Sequence, residues 1–384
     1  MPTTKFKNML YRAMLPFCAP RCSSHPVSFM NGHPLSSRPE FESLLRRHHV
    51  LGSAVLLSSG TGSTLICSDS ASPCHKSHPD TLFRVASITK TATAILAMRL
   101  ADQGILDPDA PIMAYFHDSS VCSVLKGITL RHLLSHTSGL IDPLSLEHSV
   151  ENGIPFTDIL INSRKYQPGH SFHYSNLGFG LIGCVFEAIL NLPVGQIYQD
   201  YLFKPLKMNA SLEGCLLPVD RIMPVTRILP YHKQQDLVLT VLGSKPLTTP
   251  DPIRHYGHTA GSMYTDISSL QSLFNVLILN NHHFISDSSL NDMIAEHASY
   301  GSLSPTLSYG LGLLRINDRS ISDKMIYGHQ GFAYGCADGA FWEEGTCRSV
   351  IMLNGGSSEA RIGRLGVLNR DLMRWAFRKE LPSW

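Results

Sequence analysis

Ser87 and Lys90 stand three residues apart at the head of a run, Ala92 to Ala101, in which Arg99 is the only charge. Positions i and i+3 share a helix face, so a hydroxyl and an amine spaced this way converge on one point. A serine hydroxyl is a poor nucleophile until a base takes its proton. A lysine amine is such a base only when burial lowers its pKa from about 10.4. An ammonium set in apolar helix is costly, so Lys90 either snorkels to water or is held near-neutral for chemistry. The spacing recurs at Ser123 and Lys126, but Gly127 follows and disfavours a continuing helix, whereas Lys90 precedes a dozen good helix residues. The start of the first helix also offers backbone N–H groups and a positive dipole end to a developing oxyanion. Ser87 is the better nucleophile candidate.

Two further clusters complete a site. "HYSNLGFG" sets Tyr174 and Asn176 just before a helical run, so a phenol and an amide project from one turn. "YGHQGFAYG" sets His329, Gln330 and Gly331 in a strand-like context, where Gly331 would let a substrate backbone approach closely. With SxxK, YxN and HxG in this order, the sequence resembles the serine β-lactamase/DD-peptidase superfamily, in particular its class C β-lactamase, carboxypeptidase and esterase branch. "LRHLLSHTSGL", "LFKPLKM" and "HTAGSMYTDISSL" extend the resemblance over roughly residues 45 to 384. It implies Ser87 as acylating nucleophile, Lys90 as its deprotonating partner and Tyr174 as proton shuttle to the leaving group. Asn176, His329, Gln330, Gly331 and Phe332 become substrate-binding positions, with the N–H groups of Ser87 and Phe332 as the oxyanion hole. A neighbouring ammonium would lower the Tyr174 pKa toward a usable range.

HQG departs from the KTG of most of that superfamily. A histidine changes charge near neutral pH, so ester or amide substrates gain over those bearing a carboxylate. Glu187 to Asn191 match ExxLN, the segment in which class A β-lactamases keep a deacylating glutamate. Glu187 lies only 13 residues after Tyr174 on the same expected helix, so it reads as a helix residue, leaving deacylation to Tyr174 and Lys90.

The elements that must position these groups are legible as patterns. Residues 1 to 40, rich in Pro, Ser, His and Cys, read as an irregular extension ahead of a catalytic domain over 41–384. A hairpin is expected over 48–68, helices over 87–103, 176–191 and 266–279, strands within 308–353 and a helix from Glu359 to Lys379. Strands at both ends with helices between them imply an α/β (α+β) fold: a mostly antiparallel sheet flanked by helices, with a helical subdomain over about 87–300 inserted. The resemblance implies the β-lactamase/transpeptidase-like version, with the site in the cleft.

At 384 residues, 43% apolar and 16% charged, the chain has a globular composition. Its 32 Lys and Arg against 30 Asp and Glu give +2, which offers no case for nucleic acid. No apolar run reaches the roughly 18 residues of a membrane span. Nine cysteines without a CxxC pair read as reduced thiols, and with Arg12 interrupting the one candidate signal core they point to the cytoplasm. His132 and His136 are four apart, but no third ligand stands at metal spacing, so they read as hydrogen-bonded residues, and no metal or cofactor is expected. The expected partner is a small-molecule or peptide substrate, and oligomeric state is left open. The function expected is serine hydrolysis through an acyl-enzyme at an amide, peptide, β-lactam or ester carbonyl. An acyltransferase on the same scaffold and a non-catalytic ligand-binding member are the alternatives.

Overall fold

A computed structural model describes residues 4–18, 27–70, 75–116, 123–229, 231–233, 246–280, 283–301, 306–333 and 335–381. Among these, one antiparallel sheet collects strands from both ends of the chain: β1 (Val27–Asn31), β2 (Ser53–Ser59), β3 (Gly62–Ser68), β4 (Ala298–Ser299), β5 (Leu307–Tyr309), β6 (Leu314–Ile316), β7 (Ile326–Ala333), β8 (Cys336–Glu343) and β9 (Ser349–Asn354). The spatial order is β1-β3-β2-β9-β8-β7-β6-β5-β4. The hairpin β2–β3 joins the C-terminal strands through β2–β9, Ser53 pairing with Asn354 and Ser58 with Ser349.

Alternation along the central strands builds two cores, because successive strand side chains point to opposite faces. Ala54 and Leu56 of β2 and Ile351 and Leu353 of β9 face a large core shared with α3 (Thr89–Asp102), α4 (Asn176–Leu190) and α5 (Ile267–Ile278). Val55, Leu57, Val350 and Met352 face a second core against α2 (Arg38–Arg47) and α6 (Val367–Trp375). The β2–β9 pair is therefore buried on both faces. α3 is buried almost all round, from Thr89 to Met98, as a helix in the middle of a molecule must be.

The first 40 residues are more regular than their composition suggests. They hold a helix, α1 (Thr4–Cys18), and strand β1, which pairs with β3. The partners of both lie far along the chain, Leu15 packing with Leu51 and Ile228, so no local signal marks them. The expected helix from Glu359 begins only at Val367. Arg361–Ile362 and Leu365–Gly366 form a hairpin around Gly363, whose φ of 60° suits a glycine turn. No single helix among the described residues is long and apolar enough to cross a membrane.

Phe41 is fully buried and its ring lies 4.8 Å from that of Trp375, locking α2 to α6 over the second core. Phe41→Ala is expected to lower unfolding free energy by about 3–5 kcal/mol, read as a shifted denaturant midpoint at unchanged slope.

Candidate active site

Ser87 sits in a single 3-10 turn, Ala86–Ile88, that runs straight into α3. Ala86 has φ of 46°, an uncommon conformation for a residue with a Cβ, and this bend presents Ser87 at the mouth of the cleft. The turn is held from two sides. Val85 N–H donates to Met263 O (3.0 Å), and Thr89 Oγ1 donates to Ala86 O (2.6 Å). On the third side β7 pairs with β6 only over Ile326–Gly328, and its outer half lies against the turn. A Cβ on Gly331 would come within 2.3 Å of Val85 O. Gly331 thus makes room for the backbone just before Ser87, and the close approach expected from a substrate is already taken by protein.

Lys90 has no exposed surface. Its Nζ lies 3.1 Å from Ser87 Oγ, 2.8 Å from Asn176 Oδ1 and 2.6 Å from Ala260 O. Burial pulls its pKa down to about 7, against a partial upward pull from the Asp142 carboxylate and with a smaller downward push from Arg84. Near neutrality the amine therefore exists substantially as the free base. In that form its two N–H groups satisfy the two carbonyl acceptors, and the lone pair is left for the Ser87 proton.

Tyr174 Oη donates to Ser87 Oγ at 2.8 Å. Burial pushes its pKa up, outweighing the Ser87 hydrogen bond, and Asp142 pushes it further. The acidified phenol expected from a neighbouring ammonium is not what forms, because Lys90 shares the dry pocket and loses its own charge. Tyr174 stays a neutral donor. His136 stacks beside it, ring centroids 4.2 Å apart, and its Nδ1 accepts the Ser175 N–H at 3.1 Å. His132 Nδ1 accepts the Thr129 N–H across the first turn of a short helix, so the two histidines serve backbone geometry.

Asp142 is the site residue that sequence reasoning missed. Oδ1 accepts the Ser175 hydroxyl (2.8 Å) and Leu177 N–H (2.9 Å), while Oδ2 accepts the Asn176 N–H (2.9 Å) and amide Nδ2 (3.0 Å). It crowns the N-terminus of α4, where a negative charge is favoured, and fixes the Asn176 amide so that Oδ1 turns to Lys90. Nothing in "HTSGLID" signals a partner 34 residues ahead. Ala260 O arrives because Gly180 of α4 has no Cβ, which would otherwise meet Tyr256 O at 1.9 Å.

The third motif behaves differently from expectation. His329 Nδ1 donates to Gln330 O (2.7 Å) and Nε2 accepts from Tyr309 Oη (2.9 Å). Burial and the nearby Lys90 hold its pKa down at about 3, so it remains neutral throughout the physiological range and supplies no cation. Gln330 ties its amide to the 361–366 hairpin, donating to Arg364 O (2.6 Å) and accepting from Gly366 N (3.0 Å). The Phe332 ring is covered by the Arg361 guanidinium, 3.9 Å from its centroid. Ser87, Tyr174, Asn176, His329, Gln330 and Phe332 all line one cavity of about 590 Å³, which Arg84, Arg361 and Arg364 also reach. The rival Ser123 and Lys126 are both exposed on the surface.

Glu187 is buried near the C-terminal end of α4, about three turns beyond Asn176, accepting from Val194 N (2.6 Å), Asp251 N (2.7 Å) and His255 Nδ1 (2.7 Å). It does not line the cavity. Glu187→Gln is expected to cost about 1–3 kcal/mol in denaturant unfolding and to leave turnover of an activated ester within a few-fold, with no trapped acyl-enzyme.

A Beta-lactamase family model matches residues 41–362. A penicillin-binding protein of Bacillus subtilis is 28% identical over 141 residues, 34% of this chain and 30% of that protein. The esterase EstB of Burkholderia gladioli is 28% identical over 149 residues, 34% of this chain and 38% of its own. The chain thus spans only about a third of the length of these curated relatives. In structure it resembles the D-amino acid amidase of Ochrobactrum anthropi, with a TM-score of 0.66 at 22% identity, over 85% of this chain and 92% of that one. From the family match over most of its length, the chain belongs to the beta-lactamase family.

Proposed function

We propose that this protein is a serine hydrolase that forms an acyl-enzyme at Ser87. The observation that carries the reading is the dry Lys90 amine, 3.1 Å from Ser87 Oγ with its other two partners both carbonyl oxygens. In acylation Ser87 Oγ bonds to the substrate carbonyl carbon and its proton passes to Lys90 Nζ. The oxyanion falls to the N–H groups of Ser87 and Phe332, and Tyr174 gives its proton to the departing alcohol or amine. Collapse breaks the bond to that leaving group. Water then attacks the acyl carbon and gives its proton to the Tyr174 phenolate, the bond from that carbon to Ser87 Oγ breaks to release the acid, and Lys90 returns its proton to Oγ.

A neutral His329 favours ester and amide carbonyls over substrates that need a cation at the third motif. Among the described residues Cys184, Cys215 and Cys347 are free thiols, which supports a reducing, cytoplasmic setting.

A fluorophosphonate probe should add one phosphonyl group, located at Ser87 by peptide mass spectrometry, with Ser123 unlabelled. Lys90→Ala should slow labelling by roughly 10²-fold or more. Labelling at the wild-type rate in that variant would remove Lys90 from the mechanism. Because the base must be unprotonated, the labelling rate should rise with pH through about 7 and then level off. Asp142→Asn removes the charge that holds the Lys90 pKa up, so its rising limb should lie at lower pH than in the wild type, alongside a lower plateau from a misplaced Asn176.

A further inference from the structure

Helix α1 uses one side to hold the protein body. Asn8 bonds both backbone groups of Arg361, the Glu359 N–H donates to Tyr11 Oη (3.2 Å), and Leu15 is buried with Leu51 and Ile228. Its opposite side is apolar and open. Met9 is 61% exposed, Leu10 49%, Met14 41% and Phe17 87%, with Ala13 also exposed among them. Spacings of one, three and four residues put these side chains in one stripe along the helix. Large apolar side chains scattered singly need no explanation, but a stripe of them along one helix does.

Charge narrows what covers it. Lys5, Lys7 and Arg12 are the charged residues of α1, Arg21 follows them, and the first acid in the chain is Glu40. The molecule as a whole is nearly balanced at +2, so the bias belongs to this end. An apolar stripe on a helix accompanied by basic residues alone matches an anionic bilayer surface, whose headgroups attract the bases while the stripe enters the top of the acyl layer. A groove on a protein would match the stripe but would not call for an N-terminal sequence without acids.

We propose that α1 seats the protein on an anionic phospholipid surface, lying in the headgroup plane with Met9, Leu10, Met14 and Phe17 inserted. Glu359 and Arg361, which α1 grips from behind, line the cavity that contains Ser87. Docking therefore sets one wall of that cavity directly behind the lipid-facing helix.

The test is co-sedimentation of the full chain with vesicles of phosphatidylcholine alone or of phosphatidylcholine with phosphatidylglycerol. Binding to the anionic vesicles should be about tenfold or more tighter and should weaken as salt is raised. A Leu10→Glu/Phe17→Glu double variant should lose it while keeping its circular dichroism and its wild-type rate of Ser87 labelling. Equal binding to both vesicles, binding to neither, or undiminished binding by the double variant would overturn the proposal. So would concentration-dependent self-association abolished by the double variant without vesicle binding, which would make a second copy the occupant.

Discussion

The structure turns on keeping one lysine out of water. Lowering a lysine pKa from about 10.4 to about 7 costs on the order of 5 kcal/mol of stability. Between those two values the unfolded chain binds the proton and the folded chain does not. Stability therefore climbs with pH across that window, and the full cost is present below about 7. The two-sided core around α3 is what bears this cost. The carbonyls of Asn176 and Ala260 are the complementary half of the device, because they absorb the N–H groups and aim the remaining lone pair.

Each partner of Lys90 comes from a different part of the chain, and a different local device delivers it. Asp142 stakes the first turn of α4 and with it the Asn176 amide. Gly180 lets the segment around Tyr256 lie directly on α4, which carries Ala260 to the amine. Short strands Phe83–Arg84 and Tyr264–Thr265 pair beside it, so the same segment also braces the nucleophile turn. The chemistry is the meeting point of these contacts.

What could be read from sequence follows from how local each signal is. Helices α3, α4 and α5 and the strands from β5 to β9 have apolar periods of their own, and residues i, i+3 on one helix announce Ser87 and Lys90. The order of three motifs carries Tyr174, Asn176 and His329. Asp142 and Ala260 act through a carboxylate and a main-chain carbonyl whose targets are distant in sequence, so no spacing reveals them. The charge states of His329 and Tyr174 were misjudged for a related reason: a residue type sets a reference pKa, and only packing says how much water remains. Strand β1 and helix α1 were hidden because their partners, β3 and the loop at 359–361, are remote.

The contact between Gly331 and Val85 divides the cavity into parts with different freedom to vary. Along its floor, β7 and the turn that carries Ser87 touch without room for one added carbon, so the Ser87 and Phe332 N–H groups proposed as oxyanion donors share one backbone frame. On the proposed chemistry, substitution there acts on every substrate alike. The rim is built differently: Leu146 reaches the cavity from the start of a short helix, and Tyr300 and Arg364 reach it from loops. On the proposed chemistry, a different acyl group calls for an exchange of rim side chains while the floor stays untouched. A fold arranged this way diversifies its substrates without rebuilding its catalyst.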